Sequence, residues 1–214
     1  MDSINLQHTL PDVFAGYDEI ISGIWHQDIE FIKGNFYLIE AASGTGKSSL
    51  CSYIYGYRND YQGIICFDRK NIKNLSVSEW TEIRQKSISI LFQDLRLFPE
   101  LTAYENILLK NNQTGFKSKE EINTFFIRLG IEDKLNAKVG KMSFGQQQRV
   151  ALIRSLCQPF DFILLDEPVS HLDDVNAQMM ADLLLEEVTN QKAGLIMTSI
   201  GKNMKLNYDE VLKL

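Results

Sequence analysis

The segment Ser43-Gly44-Thr45-Gly46-Lys47-Ser48-Ser49 gathers two glycines, one lysine and four hydroxyl residues into a single short stretch. Two glycines let the backbone curl tightly, so several N–H groups can face one anion. Lys47 can then reach terminal phosphates, and the Ser48 hydroxyl can hold Mg²⁺. A helix starting near Lys47 would add its N-terminal dipole to the same anion. In the full spacing, G-x-x-x-x-G-K-[ST], the first position here is Ala41. Alanine fits that place if its φ stays below zero. An ordinary strand-to-helix turn of small residues is the bland alternative. The strand-like run Phe36–Ile39 before the loop and the helical stretch after it favour the phosphate loop.

A second constellation is Phe162-Ile163-Leu164-Leu165-Asp166-Glu167-Pro168. Four apolar residues before two acids place the carboxylates at the carboxyl end of a buried strand, where open α/β sheets bind ligands. Asp166 would face Mg²⁺ directly or from its second shell, and Glu167 would act as general base on a water. A strand ending in a solvated acidic turn would look similar, but a phosphate loop elsewhere in the chain favours Mg·ATP chemistry. The third is Met142-Ser143-Phe144-Gly145-Gln146. Ser143 and Gln146 read as a capping box. That leaves Gly145 unexplained, because glycine weakens a first helical turn. A close approach to its backbone, with a phosphate as the natural guest, explains it.

The elements that must position these residues alternate along the chain. Candidate strands are 29–32, 36–39, 64–67, 88–92, 162–165, 195–198 and 210–212. The runs at 88–92 and 162–165 are nearly all apolar, as in parallel strands covered on both faces. Capping boxes at Ser76…Glu79, Thr102…Glu105, Ser118…Glu121 and Ser143…Gln146 mark helix starts, and Gly56 and Gly130 mark stops. Ala177, Met180, Ala181, Leu184 and Val188 form one helical face of core type. From Thr102 to Arg154 the pattern is helical without a strand. The expected fold is therefore α/β, with a helical subdomain at about 95–155 inserted in one domain, 1–214.

Composition narrows the class. The 214 residues carry 44% hydrophobic and 23% charged side chains, ordinary for a globular chain with a sizeable core. A formal net charge of −6 without a basic stripe disfavours nucleic acid as the main ligand. Cys51, Cys66 and Cys157 lack C-x-x-C spacing and read as reduced core thiols of a cytosolic protein. No apolar run is long enough for a bilayer, and the first residues, Met1 to Asn5, lack a secretion signal.

Together the three motifs resemble the nucleotide-binding subunits of ATP-binding cassette (ABC) transporters. The match covers nearly the whole chain and extends to motif order. The resemblance implies a P-loop NTPase core with a mainly parallel sheet, an antiparallel N-terminal β part and the inserted helical subdomain. Met142–Gln146 stands where the family signature reads roughly L-S-G-G-Q. Asp166 and Glu167 match the Walker B aspartate and catalytic glutamate. Gln93 matches the glutamine that senses Mg²⁺ and water, and Ser170–Asp173 the loop that crosses a dimer interface. Asp94–Thr102 resembles the surface where a membrane partner docks. Phe14 or Tyr17 matches the aromatic residue stacked on adenine, with Phe14 preferred.

The implied mechanism pairs two copies head-to-tail. ATP and Mg²⁺ are held by Ser43–Ser49, Gln93 and Asp166 of one copy. Ser143, Gly145 and Gln146 come from the other. ATP hydrolysis on Glu167, Gln93 and Lys47 would then drive a separate integral membrane permease, from the cytoplasmic face of the cell membrane. The departures are Ala41, Ser49, Phe144 and Ser199. Phe144 replaces a signature glycine and would pack against the opposite chain or displace it. Ser199 stands where the family carries a histidine on the γ-phosphate. It lacks that histidine's charge, so turnover is expected to be real but slow. A soluble ABC ATPase without a permease, or a degenerate ATP-binding module, is the alternative.

Overall fold

The computed structural model describes residues 1–16 and 21–214. Tyr17, the alternative adenine partner, lies outside them. Two sheets form. The first is antiparallel, in the order β2-β1-β4-β5: β1 (Ser3–Pro11), β2 (Asp28–Ile32), β4 (Tyr61–Phe67) and β5 (Lys70–Asn71). The second has the order β6-β7-β8-β3-β9 and is parallel throughout. Its strands are β3 (Phe36–Glu40), β6 (Ile88–Leu91), β7 (Phe162–Asp166), β8 (Gly194–Ser199) and β9 (Glu210–Lys213).

Side-chain alternation decides what covers the parallel sheet. Tyr37, Ile39, Phe162, Leu164 and Ile196 point to one face. There they pack with Leu50 and Ile54 of α1 (Lys47–Ile54) and with Ile4, Leu6 and Phe31 of the antiparallel sheet. Leu38, Ile163, Leu165, Leu195 and Met197 point to the other face. They meet Ile107 of α3 (Ala103–Asn111), Phe126 of α4 (Lys119–Arg128), Ile153 of α5 (Phe144–Leu156) and Met180 of α6 (Asp174–Gln191). All five β7 residues are buried, which is why that run lacks polar alternation. Each fully buried large side chain there contributes about 1.5–3 kcal/mol of transfer free energy.

The four capping boxes form as the sequence predicts, on α2 (Val77–Lys86), α3, α4 and α5. Gly56 and Gly130 follow helices with φ of +67° and +60°. Between β6 and β7 the chain runs through α3, α4 and α5, with one isolated bridge, Thr102 to Lys138. The strand pattern missed β1. Its Ile4 and Leu6 alternate, but the register shifts between Gln7 and Leu10, and His8 takes a φ of +47°. That bulge breaks the period-2 signal while preserving the strand.

Candidate functional site

The phosphate-loop segment leaves the carboxyl end of β3 and enters α1 at Lys47. Gly46 has a φ of +101°, and a Cβ there would stand 3.0 Å from the Trp25 ring and 3.2 Å from that of Phe14. Only glycine gives both the conformation and the space. Ala41 keeps a negative φ, and its N–H donates to the Ser199 carbonyl at 3.1 Å. The alanine departure is thus accommodated in the backbone. Thr45 Oγ1 and Lys47 Nζ both donate to the Ala42 carbonyl, at 2.9 and 2.8 Å.

Trp25 was not singled out by sequence reasoning. It is 1% exposed, and its Nε1–H donates to the Thr45 carbonyl at 2.9 Å. A lone tryptophan upstream of the loop reads as core, and its second role is visible only once the chain is folded.

The loop and the end of β7 share one cleft of about 330 Å³. Ser43, Gly44, Gly46, Lys47, Ser48 and Ser49 line it, together with Val13, Phe14, Gln93, Glu167 and Ile200. Lys47 Nζ lies 3.7 Å from Glu167 Oε1, with both side chains buried. Glu167 has a φ of +51°, a conformation that costs a non-glycine residue about 1–3 kcal/mol. Its N–H donates to the Thr198 carbonyl at 3.2 Å, which holds the turn in that strained form. Ser48 Oγ lies 3.4 Å from Gln93 Oε1.

Other predicted site residues stand apart from the cleft wall. Asp166 is 3% exposed, and its Oδ1 accepts a 2.7 Å hydrogen bond from Thr198 Oγ1. Ser199 is 1% exposed and donates to the Lys202 carbonyl at 2.7 Å. Its neighbour Ile200, 46% exposed, takes the place on the wall. Ser143, Gly145 and Gln146, at the start of α5, do not line the cleft. Gly145 does meet a close neighbour, but one from its own chain. A Cβ would stand 2.9 Å from Leu172 Cδ2. Phe144 likewise packs within its own chain, edge-on to His171 with ring centroids 4.8 Å apart.

A second cleft, of about 180 Å³, opens beside the segment Asp94–Thr102. Tyr55, Phe92, Phe98 and Leu109 give it apolar walls, Lys110 and Arg154 give it charge, and no carboxylate among the described residues lines it. Arg84 donates to the Tyr55 and Gly56 carbonyls, Lys110 to that of Arg84, and Arg154 to those of Leu95 and Arg96. All three cations therefore hold backbone oxygens. Burial, with Arg154 and Arg84 nearby, pushes the Lys110 ammonium down to about 8. The three cysteines are free and buried, and burial raises each thiol's pKa. No helix among the described residues is long and apolar enough to cross a membrane.

With this geometry in view, the family described as ABC transporter matches residues 27–170. The lipoprotein-releasing system ATP-binding protein LolD of Aquifex aeolicus is 34% identical over 190 residues, covering 87% of this chain and 83% of that protein. This chain belongs to the ABC transporter family. An uncharacterized ABC transporter ATP-binding protein of Mycobacterium tuberculosis is 27% identical over 219 residues, which cover the whole of this chain. The cassette spans 65% of that relative's length. Among solved structures, the dimeric structure of the bacterial ABC transporter cassette MJ0796 superposes with a TM-score of 0.76 at 30% identity, covering 91% of this chain and 87% of that one. A second structure of MJ0796, in a post-hydrolysis state with ADP and Pi, matches with a TM-score of 0.74 at 28% identity, covering 92% of this chain and 87% of that one. The ABC cassette fold and the P-loop NTPase core are as the motifs predict.

Proposed function

We propose that this cassette binds and hydrolyses ATP between two copies of itself and so drives a separate membrane permease. The observation that carries the reading is the cleft in which Lys47 and Glu167 meet beside the phosphate loop. The loop N–H groups and the α1 N-terminus are suited to hold phosphates. Lys47, which holds the Ala42 carbonyl and Glu167 in this structure, would turn to the terminal phosphates. Glu167 is then free to accept a proton from an attacking water, with Gln93 beside it.

Ser48 Oγ and Gln93 Oε1 fit a Mg²⁺ site. Their 3.4 Å separation is near the spacing of adjacent corners in a Mg²⁺ octahedron, about 3 Å for bonds of about 2.1 Å. Asp166 would support that site from behind, oriented by Thr198. The ion would neutralise charge on the phosphates. Phe14 on the cleft wall is the aromatic surface offered to adenine.

Ser143, Gly145 and Gln146 lie outside the cleft, and we infer that they serve the site of a second copy. The dimeric MJ0796 relative supports that pairing. Ser199 places no charge in the cleft, and its hydroxyl is committed to Lys202. We expect slow turnover on that ground, because a lost charge-assisted contact costs about 10²–10³ in rate. The cationic second cleft suits a permease segment bearing a carboxylate and an apolar side chain. The membrane's cytoplasmic face is where such a partner would hold this chain. Mg·ATP turnover of the chain beside Glu167→Gln tests the reading. A rate abolished in the variant supports it, and equal background rates in both would instead indicate an ATP-binding module without hydrolysis.

A further inference from the structure

One of the sequence departures touches the loop that follows Glu167. Phe144, which replaces a signature glycine, stacks edge-on against His171. Beside them, Leu172 lies over Gly145 so closely that a methyl group there would be 2.9 Å away. The loop of residues 168–173 therefore rests on the first turn of α5 within one chain. Its other side is held by Lys202. The Lys202 ammonium donates to the Leu172 carbonyl at 2.6 Å and lies 3.0 Å from Asp174 Oδ1. Its main-chain carbonyl accepts the Ser199 hydroxyl, and the Ser199 carbonyl accepts the N–H of Ala41. A continuous path thus runs from the entry of the phosphate loop, through the end of β8 and Lys202, to the start of α5.

We propose that Lys202 is a positioning residue for ATP turnover: it fixes the 168–173 loop between the end of β8 and the Phe144–His171 contact. Lysine suits this place because one ammonium offers three donors to acceptors on two elements. The loop it pins begins directly after Glu167, so its position sets the direction in which that carboxylate points. The same loop sets where α5 presents Ser143 and Gly145. Lys202 itself does not line the cleft. The proposal rests on the ATP-hydrolysis reading, and the test separates the two.

The full-length chain is assayed as wild type, Lys202→Met, Lys202→Arg, His171→Ala and the Lys202→Met/His171→Ala double variant. Steady-state kcat and KM for Mg·ATP are measured, with binding of a fluorescent ATP analogue. Lys202→Met is expected to lower kcat about tenfold while KM and analogue affinity stay within about twofold. Lys202→Arg restores kcat to within about threefold. The double variant is no slower than Lys202→Met alone, because residues acting as one unit are non-additive. An unchanged kcat in Lys202→Met, a fall shared equally by binding, or additive losses would overturn the proposal. Amide hydrogen exchange over residues 168–174 reads the strut without turnover. Lys202→Met must lose protection there and Lys202→Arg must keep it; equal protection in both overturns the proposal even if the wild type hydrolyses nothing. A wild type without turnover whose exchange follows this pattern overturns the hydrolysis reading and leaves the strut standing. Lys202→Gln replaces Lys202→Met if the latter fails to fold.

Discussion

Trp25→Phe removes one hydrogen bond and part of one ring from beneath the phosphate loop. The indole is 1% exposed and its N–H holds the Thr45 carbonyl at 2.9 Å. The lost ring volume leaves a cavity costing about 1 kcal/mol. The carbonyl left without its donor costs about 1–3 kcal/mol, toward the low end because Thr45 is half-buried and water can reach it. The sum, about 2–3 kcal/mol, lowers Tm by roughly 4–12 °C in a chain of this size. Part of that cost falls on nucleotide binding, since a loosened loop must be ordered again by the phosphates. If about 1 kcal/mol does so, the Kd for ATP rises about fivefold. Titration with a fluorescent ATP analogue and a thermal melt check both effects. A lowered Tm with unchanged Kd would refute the argument, showing Trp25 to be core packing with no hold on the loop.

Gly145→Ala is expected to leave stability within about 1 kcal/mol, because better helix propensity offsets contact with the flexible Leu172 tip. Turnover should still fall at least about tenfold, since the methyl group obstructs approach to the α5 N-terminus; unchanged kcat would remove that end from the site. Lys110, pushed down to about 8 from an ordinary 10.5 chiefly by burial, binds fewer protons folded than unfolded between those values. Stability should therefore rise with pH from about 8 to about 10.5, and Lys110→Met should flatten the rise in denaturant titrations. Ser199→His is expected to raise kcat if the imidazole reaches the cleft; an unchanged rate would show that the serine is not the cause of slow turnover.

Much of this fold was legible because local signals agreed with one another. Each capping box fixed a helix start from two side chains three residues apart, and the apolar run of β7 announced a strand covered on both faces. The loop glycines and Lys47 announced themselves by spacing. What stayed hidden was set by the packing of distant segments. β1 was masked by its bulge at His8. Trp25 gave no signal because its hydrogen bond spans twenty residues of sequence. Gly145 reads as room for a phosphate; that Leu172 of the same chain also lies against it is visible only in the fold. Ser199 reads as standing where the family carries a histidine; the backbone turns its hydroxyl to Lys202 and puts Ile200 on the cleft wall. None of these placements follows from residue type.

The phosphate-loop cleft is proposed to be half of a site whose other half, the start of α5, is supplied by a second copy. Sedimentation of Glu167→Gln with and without saturating Mg·ATP tests it most directly. The variant keeps the loop, Lys47 and the α5 start but lacks the carboxylate proposed as the base that ends the ATP-bound state. A monomer or weak dimer is expected without nucleotide and a stable dimer with Mg·ATP, lost again in Glu167→Gln/Lys47→Ala. A variant that binds Mg·ATP and stays monomeric would contradict it.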